Sequence, residues 1–201
     1  MKQLLVIAML IALPLAAHDF WIEPGTRQLR VGEHFEGEPV RGSAPVLVVQ
    51  RNGAVMLTYR SGTWATHTLS RAKFEQYLRE EGVTGVQATG DVQRERFARF
   101  AKSHVRGDVA AIGALGWRFE IVPLAASRFR VDYEGAPLAN ALVVAMNRSG
   151  ERLSARTDRS GVVAFDLGGG AWLIKSVHVV PAPRDSGVEW ESLWGSVTFA
   201  R

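Results

Sequence analysis

Two histidines, His18 and His178, are the residues of this sequence that best suit metal binding. If the chain is cut after Ala17, His18 becomes the N-terminal residue and offers both its α-amine and a ring nitrogen. Two nitrogens from one residue suit Cu(II) or Ni(II), which favour square-planar or tetragonal nitrogen sites. A cut after Ala16 leaves Ala17 in front of the histidine and gives a different geometry that depends on a peptide nitrogen.

His178 belongs to an apolar segment, residues 172–180, that is typical of a β-strand. Alternate residues of a strand share a face, so His178 is expected on the same face as Trp172, Ile174 and Ser176. Two interpretations follow from this position. His178 is either a second metal ligand or a hydrogen-bonded histidine of a sandwich core.

The residue types present give little support to enzymatic chemistry. The chain contains no cysteine, which excludes disulfides, thiolate ligands and a cysteine nucleophile. It contains no G-x-S-x-G motif. His34, His67 and His104 show none of the spacings of paired metal ligands. We therefore expect a protein that is not an enzyme.

Residues 1–17 have the composition of a cleavable signal peptide. Lys2 supplies a positive start, residues 4–15 are an apolar run interrupted only by Pro14, and Ala16 and Ala17 are the small residues that precede a cut. The run is short for a membrane-spanning helix, and no later apolar stretch reaches that length. The sequence thus predicts a periplasmic or secreted protein with no transmembrane anchor after cleavage.

The charge pattern does not favour nucleic-acid binding. Net charge is +4, and five basic residues fall between residues 94 and 106. Arginines alternate there with apolar residues, which indicates a solvated helix face. Export also removes the usual nucleic-acid partner, so nucleic acid is not expected as a ligand.

The first half of the remaining chain is predicted to be a β domain, residues 18–124, with a helical insert over about residues 70–105. Asn52-Gly53 lies between two apolar runs, which is a strong hairpin signal. Ser70 is a plausible N-cap for a helix that ends near Gly82. Asp91 is read as the cap of a second helix, with Phe97, Phe100, Ala101 and His104 on one face.

The second half, residues 125–201, is predicted to be a transthyretin-like or immunoglobulin-like β-sandwich. Short β-rich segments recur there between turn sequences at residues 135–137, 149–150 and 158–161. Such spacing indicates an antiparallel sandwich. The fold class is therefore predicted to be all-β, with two antiparallel sandwich domains.

Three segments together resemble a known family of exported bacterial proteins. They are HDFWIEP at residues 18–24, the TD-x-x-G turn at 157–161 with GAWLIKSVH at 170–178, and WESLWGSVTF at 190–199. Their order and spacing are similar to domain-of-unknown-function family 4198, once described as a periplasmic nickel-uptake component. Residues 134–143 and 157–167 also resemble the small transthyretin-like or carboxypeptidase-regulatory-like sandwich.

The resemblance implies an accessory or binding protein linked to uptake or homeostasis of nickel, cobalt or copper. On that reading His18 and His178 are the metal ligands, with Glu191 as an oxygen donor, and the partner is a membrane metal transporter or another envelope protein. Lys175 matches the family-like WLIK run, but its protonated amine is a poor ligand.

The alternative is a non-enzymatic envelope module that binds a protein or glycan through its C-terminal sandwich. Trp190 and Trp194 share strand parity with Ser192 and Ser196, and such a face is able to contact a sugar or a peptide. Tryptophan stripes more often pack inside a core, so both interpretations are open at this point.

Overall fold

The computed structural model describes residues 19–41 and 45–201. Strands dominate, which confirms the all-β prediction, and one helix, α1 (Arg71–Glu80), lies among these residues. The strands of the first half are β1 (Asp19–Ile22), β2 (Leu29–Gly32), β3 (Glu38–Pro39), β4 (Leu47–Arg51), β5 (Ala54–Arg60), β6 (Ala65–Ser70) and β7 (Val92–Arg106). Those that follow are β8 (Phe119–Ala125), β9 (Arg128–Tyr133), β10 (Ala136–Pro137), β11 (Leu142–Asn147), β12 (Arg152–Arg156), β13 (Val162–Ala164), β14 (Ala171–Pro181) and β15 (Trp190–Ala200).

Residues 1–18 lie outside the described part of the chain, so the predicted signal peptide and His18 have no structural counterpart here. Within the described ranges, no helix combines the length and the apolar character needed to cross a membrane.

The hairpin predicted at Asn52-Gly53 is confirmed. Both turn residues have positive φ, 49° and 77°, which a two-residue type I′ turn requires. Strands β4 and β5 pair antiparallel on either side of it, from Leu47 opposite Thr58 to Arg51 opposite Ala54.

The helix predicted after Ser70 is also confirmed. The Ser70 hydroxyl accepts a hydrogen bond from the backbone amide of Lys73, which satisfies one free donor of the first turn. Phe74, Tyr77 and Leu78 form its buried face. Gly82 follows with a positive φ of 61°, where a β-carbon is disfavoured and the helix stops.

The second predicted helix, from Asp91 to about residue 105, is wrong. The segment is the strand β7, fifteen residues long. One edge of β7 pairs antiparallel with β6 and β5, and the other edge pairs in parallel with β15. The segment is a strand because three neighbouring strands satisfy its backbone groups.

An eight-stranded sheet forms the centre of the protein, in the order β12-β11-β14-β15-β7-β5-β4, with β6 paired to β7. Strands from both sides of the predicted domain boundary contribute to it. The link is the parallel pair of β15 and β7, which places Glu191 opposite Arg96 and Thr198 opposite Ser103.

One face of the central sheet packs against a four-stranded sheet, β8, β9, β10 and β13, to form a sandwich. We call this side of the central sheet the sandwich face. The core between the two sheets is apolar and buried, with large side chains at its centre: Phe119, Phe129, Trp172, Ile174, Val197 and Phe199.

The other face of the central sheet is covered by α1 and by a three-stranded sheet, β1-β2-β3. We call it the outer face. Trp21 of β1 is fully buried there against Val144, Met146 and Leu173. Strand β1 is fixed to β15 by the Thr198 hydroxyl, which donates to the Ile22 carbonyl at 2.7 Å.

Candidate functional site

His178 lies on the sandwich face, half-buried between aromatic rings. Its ring centroid is 6.0 Å from that of Phe119, nearly parallel to it, and 4.6 Å from that of Tyr133, edge-on. Burial lowers the pKa of His178, and the nearby positive charge of Arg118 lowers it further. The neutral imidazole that a metal requires is thus favoured at this position.

Glu191 is fully buried on the same face and is held by two arginines. Arg96 donates from Nε to Oε1 at 2.8 Å, and Arg118 Nη2 lies 2.6 Å from Oε2. Both carboxylate oxygens therefore meet guanidinium groups. This arrangement satisfies a buried charge that would otherwise be costly.

The structure brings two of the three predicted site residues to neighbouring positions. His178 is opposite Leu193 and Glu191 is opposite Val180, so the two side chains are diagonal on one face, with Cα atoms about 7–8 Å apart in such pairs. Arg118 acts on both of them. A metal shared by His178 and Glu191 would have to displace a guanidinium group from the carboxylate.

An indole ring covers the two arginines. The guanidinium carbons of Arg96 and Arg118 lie 4.6 Å and 5.6 Å from the ring centre of Trp64, within the range of a cation–π contact. A cavity of about 190 Å³ lies beside Trp64 and Arg118. Trp64 and Arg118 thus form part of the wall of this cavity. The prediction that the basic residues of 94–106 form a solvated helix face is wrong for Arg96, which lies on a strand and pairs with a buried carboxylate.

A second ionic cluster lies on the outer face, next in sequence to His18. Asp19 begins β1, and its Oδ1 is 2.6 Å from Lys175 Nζ. Lys175 also contacts both carboxylate oxygens of Glu81 at 3.1 Å. Asp19 and Lys175 are only 5% and 6% exposed, so one buried ammonium group serves two carboxylates.

The charges of this cluster are not balanced by its own members. Burial raises the pKa of Asp19 from 3.8 to about 6, against the opposing charge of Lys175, and the nearby Glu81 carboxylate raises it further. Neither Asp19 nor Glu81 was predicted to be a site residue. One signal was present: Lys175 is a lone charged residue within a buried apolar run.

A buried serine, a glutamate and a histidine also converge on the outer face, but not as a catalytic triad. The Ser192 hydroxyl donates to Glu95 Oε2, and His67 Nδ1 lies 3.6 Å from Glu95 Oε1. The carboxylate therefore stands between the hydroxyl and the imidazole. In a Ser-His-Asp triad the imidazole contacts the hydroxyl and the carboxylate lies behind it, so this order is not that of a triad.

The aromatic face considered as a sugar or peptide platform is covered by the helix. Trp190 is stacked with Phe74 at 5.7 Å between ring centres, and Trp194 with Tyr77 at 5.6 Å. Trp194 is 8% exposed. Trp194 is therefore a packing residue under α1, whereas Trp190 stacks on the helix and is half-buried.

Among residues 19–41 and 45–201, no group of three or more histidines, aspartates and glutamates is arranged to hold a metal ion. A metal site that uses His18 would draw one ligand from outside these ranges.

The family model described as "Domain of unknown function (DUF4198)" matches residues 15–180, which is well over half of the chain. The match includes β1, α1 and most of β14, the elements that bring Asp19, Glu81 and Lys175 together. No curated protein and no solved structure matches the chain.

Proposed function

From the premise that the chain belongs to the DUF4198 family, a domain of unknown function, we propose that it is an exported, non-enzymatic binding protein for a divalent transition metal. The metal is nickel, cobalt or copper, and the binding group is the N-terminal histidine that a cut after Ala17 would create. The protein acts in the periplasm or outside the cell, as an accessory to a membrane metal transporter.

The observation that carries this proposal is the position of Asp19. It is bonded to His18, is buried, and lies with Glu81 around a single lysine. Two carboxylates contact one ammonium group next to the proposed ligand, and the second positive charge, that of Arg152, acts on Asp19 less strongly than Lys175 does. A divalent cation is attracted to such a group, and carboxylates that orient or neutralise a histidine ligand strengthen metal binding.

The donor set also fits the proposed metals. The α-amine and ring nitrogen of His18 supply two nitrogens, and Asp19 is the nearest oxygen donor along the chain. Nitrogen-rich tetragonal sites are typical of Cu(II) and Ni(II). His178 is a separate candidate, since it lies on the sandwich face, whereas Asp19 and Lys175 lie on the outer face.

The test compares proteins that differ only at the N-terminus. The chain beginning at His18 is titrated calorimetrically with Ni(II) and with Cu(II), beside a chain with one alanine added in front and a His18→Ala chain. We expect one metal per chain, with affinity at least about tenfold weaker in both altered proteins. The added alanine moves the α-amine to a different residue from the ring nitrogen, and His18→Ala removes the ring nitrogen. Equal or negligible binding by all three would contradict the proposal.

Two further variants locate the site. Asp19→Asn is expected to weaken binding about tenfold or more, as loss of a neighbouring carboxylate does at other histidine sites. His178→Ala is the matched control and is expected to leave the affinity unchanged. If His178→Ala abolishes binding and Asp19→Asn does not, the metal belongs on the sandwich face.

A second function, an envelope interaction module, is favoured by one exposed strand. Strand β4 is at the edge of the central sheet, and its Leu47 and Val48 are 65% and 49% exposed. An edge strand with apolar side chains is a template for pairing with another strand. Leu47→Lys with Val48→Lys would abolish capture of an envelope partner by the metal-free protein and leave metal binding intact.

A further inference from the structure

A groove of about 410 Å³ lies at the end of the outer face. One wall is the turn between β2 and β3, and the other is the turn between β11 and β12. Met146, near the end of β11, and Arg152, the first residue of β12, also line the groove. Its volume is within the range of small-molecule sites. No residue selected from the sequence contributes to it.

Arg152 is the unusual group of this groove. Among the described residues it forms no contact ion pair with a carboxylate, although its charge acts on Asp19 and lowers the pKa of that carboxyl. Its hydrogen-bond partner is the sulfur of Met146, 3.1 Å from Nη1. A thioether is a weak acceptor, while a guanidinium carries five N–H donors. Met146 and Arg152 are opposite each other in the β11–β12 pair, so both side chains are on the same face.

The other arginine of the groove is already engaged. Arg148 forms an ion pair with Glu23 and lies over the ring of Phe35, 5.3 Å from its centre. Arg152 is therefore the guanidinium with donors to spare, and its fork of two parallel N–H groups matches a carboxylate.

The remaining lining residues restrict the ligand further. Phe35 and Met146 are buried, 2% and 5% exposed, and supply an apolar floor. Glu36 and Glu151 bring carboxylates to the rim. Because Arg148 is paired with Glu23, these two carboxylates outnumber the one remaining guanidinium. The net negative charge opposes a dianion such as a phosphate monoester more strongly than a monoanion, because the repulsion scales with the ligand's charge.

We propose that this groove binds a small monocarboxylate with an apolar or aromatic body, in which the carboxylate meets Arg152 and the body rests on Phe35 and Met146. Its residues are not those of the proposed metal site, although the charge of Arg152 also acts on Asp19.

The probe is N-acetyl-phenylalanine, with its amide as the uncharged control of the same shape. Binding to the full chain is followed by NMR shifts of residues 146–152 up to 10 mM ligand. We expect saturable binding of the acid and at least about tenfold weaker binding of the amide, because a charge-assisted bidentate contact is lost. No saturation by the acid, or equal binding of acid and amide, would overturn the proposal.

Three variants test the electrostatic reasoning. Arg152→Gln removes the fork from an exposed position and is expected to weaken the acid about tenfold, with an unchanged melting temperature. Arg148→Gln is the matched control and is expected to leave binding within about twofold. Glu36→Gln is expected to tighten the acid by roughly twofold to threefold, as like-charge repulsion at an exposed rim is small. If Arg152→Gln and Arg148→Gln weaken the acid equally, Arg152 is not the anchor.

A final arm separates carboxylate from phosphate. Phenyl phosphate carries a similar body with more charge and is expected to bind more weakly than the acid. Tighter binding of phenyl phosphate would overturn the assignment to monocarboxylates.

Discussion

The buried carboxyl group of Asp19 makes the stability of this protein depend on pH in a direction opposite to that of most aspartates. Its pKa is raised from 3.8 to about 6, first by burial, against the charge of Lys175, and also by the neighbouring Glu81. Between these two pH values the native chain holds a proton that the unfolded chain has released. Stability therefore falls as pH rises through this window.

The size of the effect follows from the shift. The contribution of Asp19 is fully present below pH 3.8 and is lost as pH passes about 6. Each pKa unit corresponds to about 1.36 kcal/mol, so the whole change is about 3 kcal/mol. Most of it falls between pH 4 and pH 7, for which we expect about 2–3 kcal/mol.

Asp19→Asn isolates this group, because asparagine is close to the shape of the protonated acid and does not titrate. Urea unfolding is followed by tryptophan fluorescence at pH 4, 5, 6 and 7 for the parent and the variant. At pH 4 the two are expected to be similar in stability. By pH 7 the variant gains about 2–3 kcal/mol relative to the parent.

A flat difference between variant and parent, or one that falls with pH, would refute the reasoning, because Lys175 would then outweigh the burial of the charge. Asp185→Asn is the matched control. It makes the same substitution at an exposed carboxylate and reports what loss of a charge does without burial.

Three other substitutions test separate parts of the structure. Lys102→Met is expected to lower the free energy of unfolding in urea by about 3–5 kcal/mol, because it leaves the fully buried Glu120 without its ammonium partner. The double variant Lys102→Met with Glu120→Leu is expected to recover part of that loss. Gly37→Ala places a β-carbon 2.6 Å from the Val31 carbonyl oxygen of β2 and is expected to lower the stability by about 2 kcal/mol or more, measured by thermal unfolding. An unchanged stability would show that the turn shifts to make room. Arg118→Gln removes a positive charge that lowers the pKa of His178, so an NMR titration of the imidazole is expected to show a higher pKa in the variant. An unchanged pKa would show that Arg118 does not act on His178.

Local signals in the sequence were sufficient for the elements that depend on local chemistry. The Asn52-Gly53 turn requires positive φ at both positions, and few other residue pairs allow it. The helix after Ser70 needs a capping hydroxyl and an apolar stripe, and both are present in adjacent residues. Each of these predictions depended on interactions that span only a few residues.

The wrong helix prediction at β7 shows what local sequence patterns do not determine. Residues 92–106 carry aromatic and apolar side chains that satisfy a helical period and a strand period about equally well. The strand prevails because β5, β6 and β15 supply backbone partners from residues far away in sequence. A periodicity argument contains no information about such partners.

The candidate sites show the same division. The sequence by itself determined that the chain is mostly β, has no cysteine chemistry, and carries a histidine directly after its expected export signal. Only the tertiary structure decided that Glu191 is bound by two arginines, that Trp190 and Trp194 lie beneath α1, and that Asp19 meets Lys175. The physical reason is that a residue's type sets which interactions it is able to make, whereas the partner is set by sheet register and packing between residues as distant as 19 and 175.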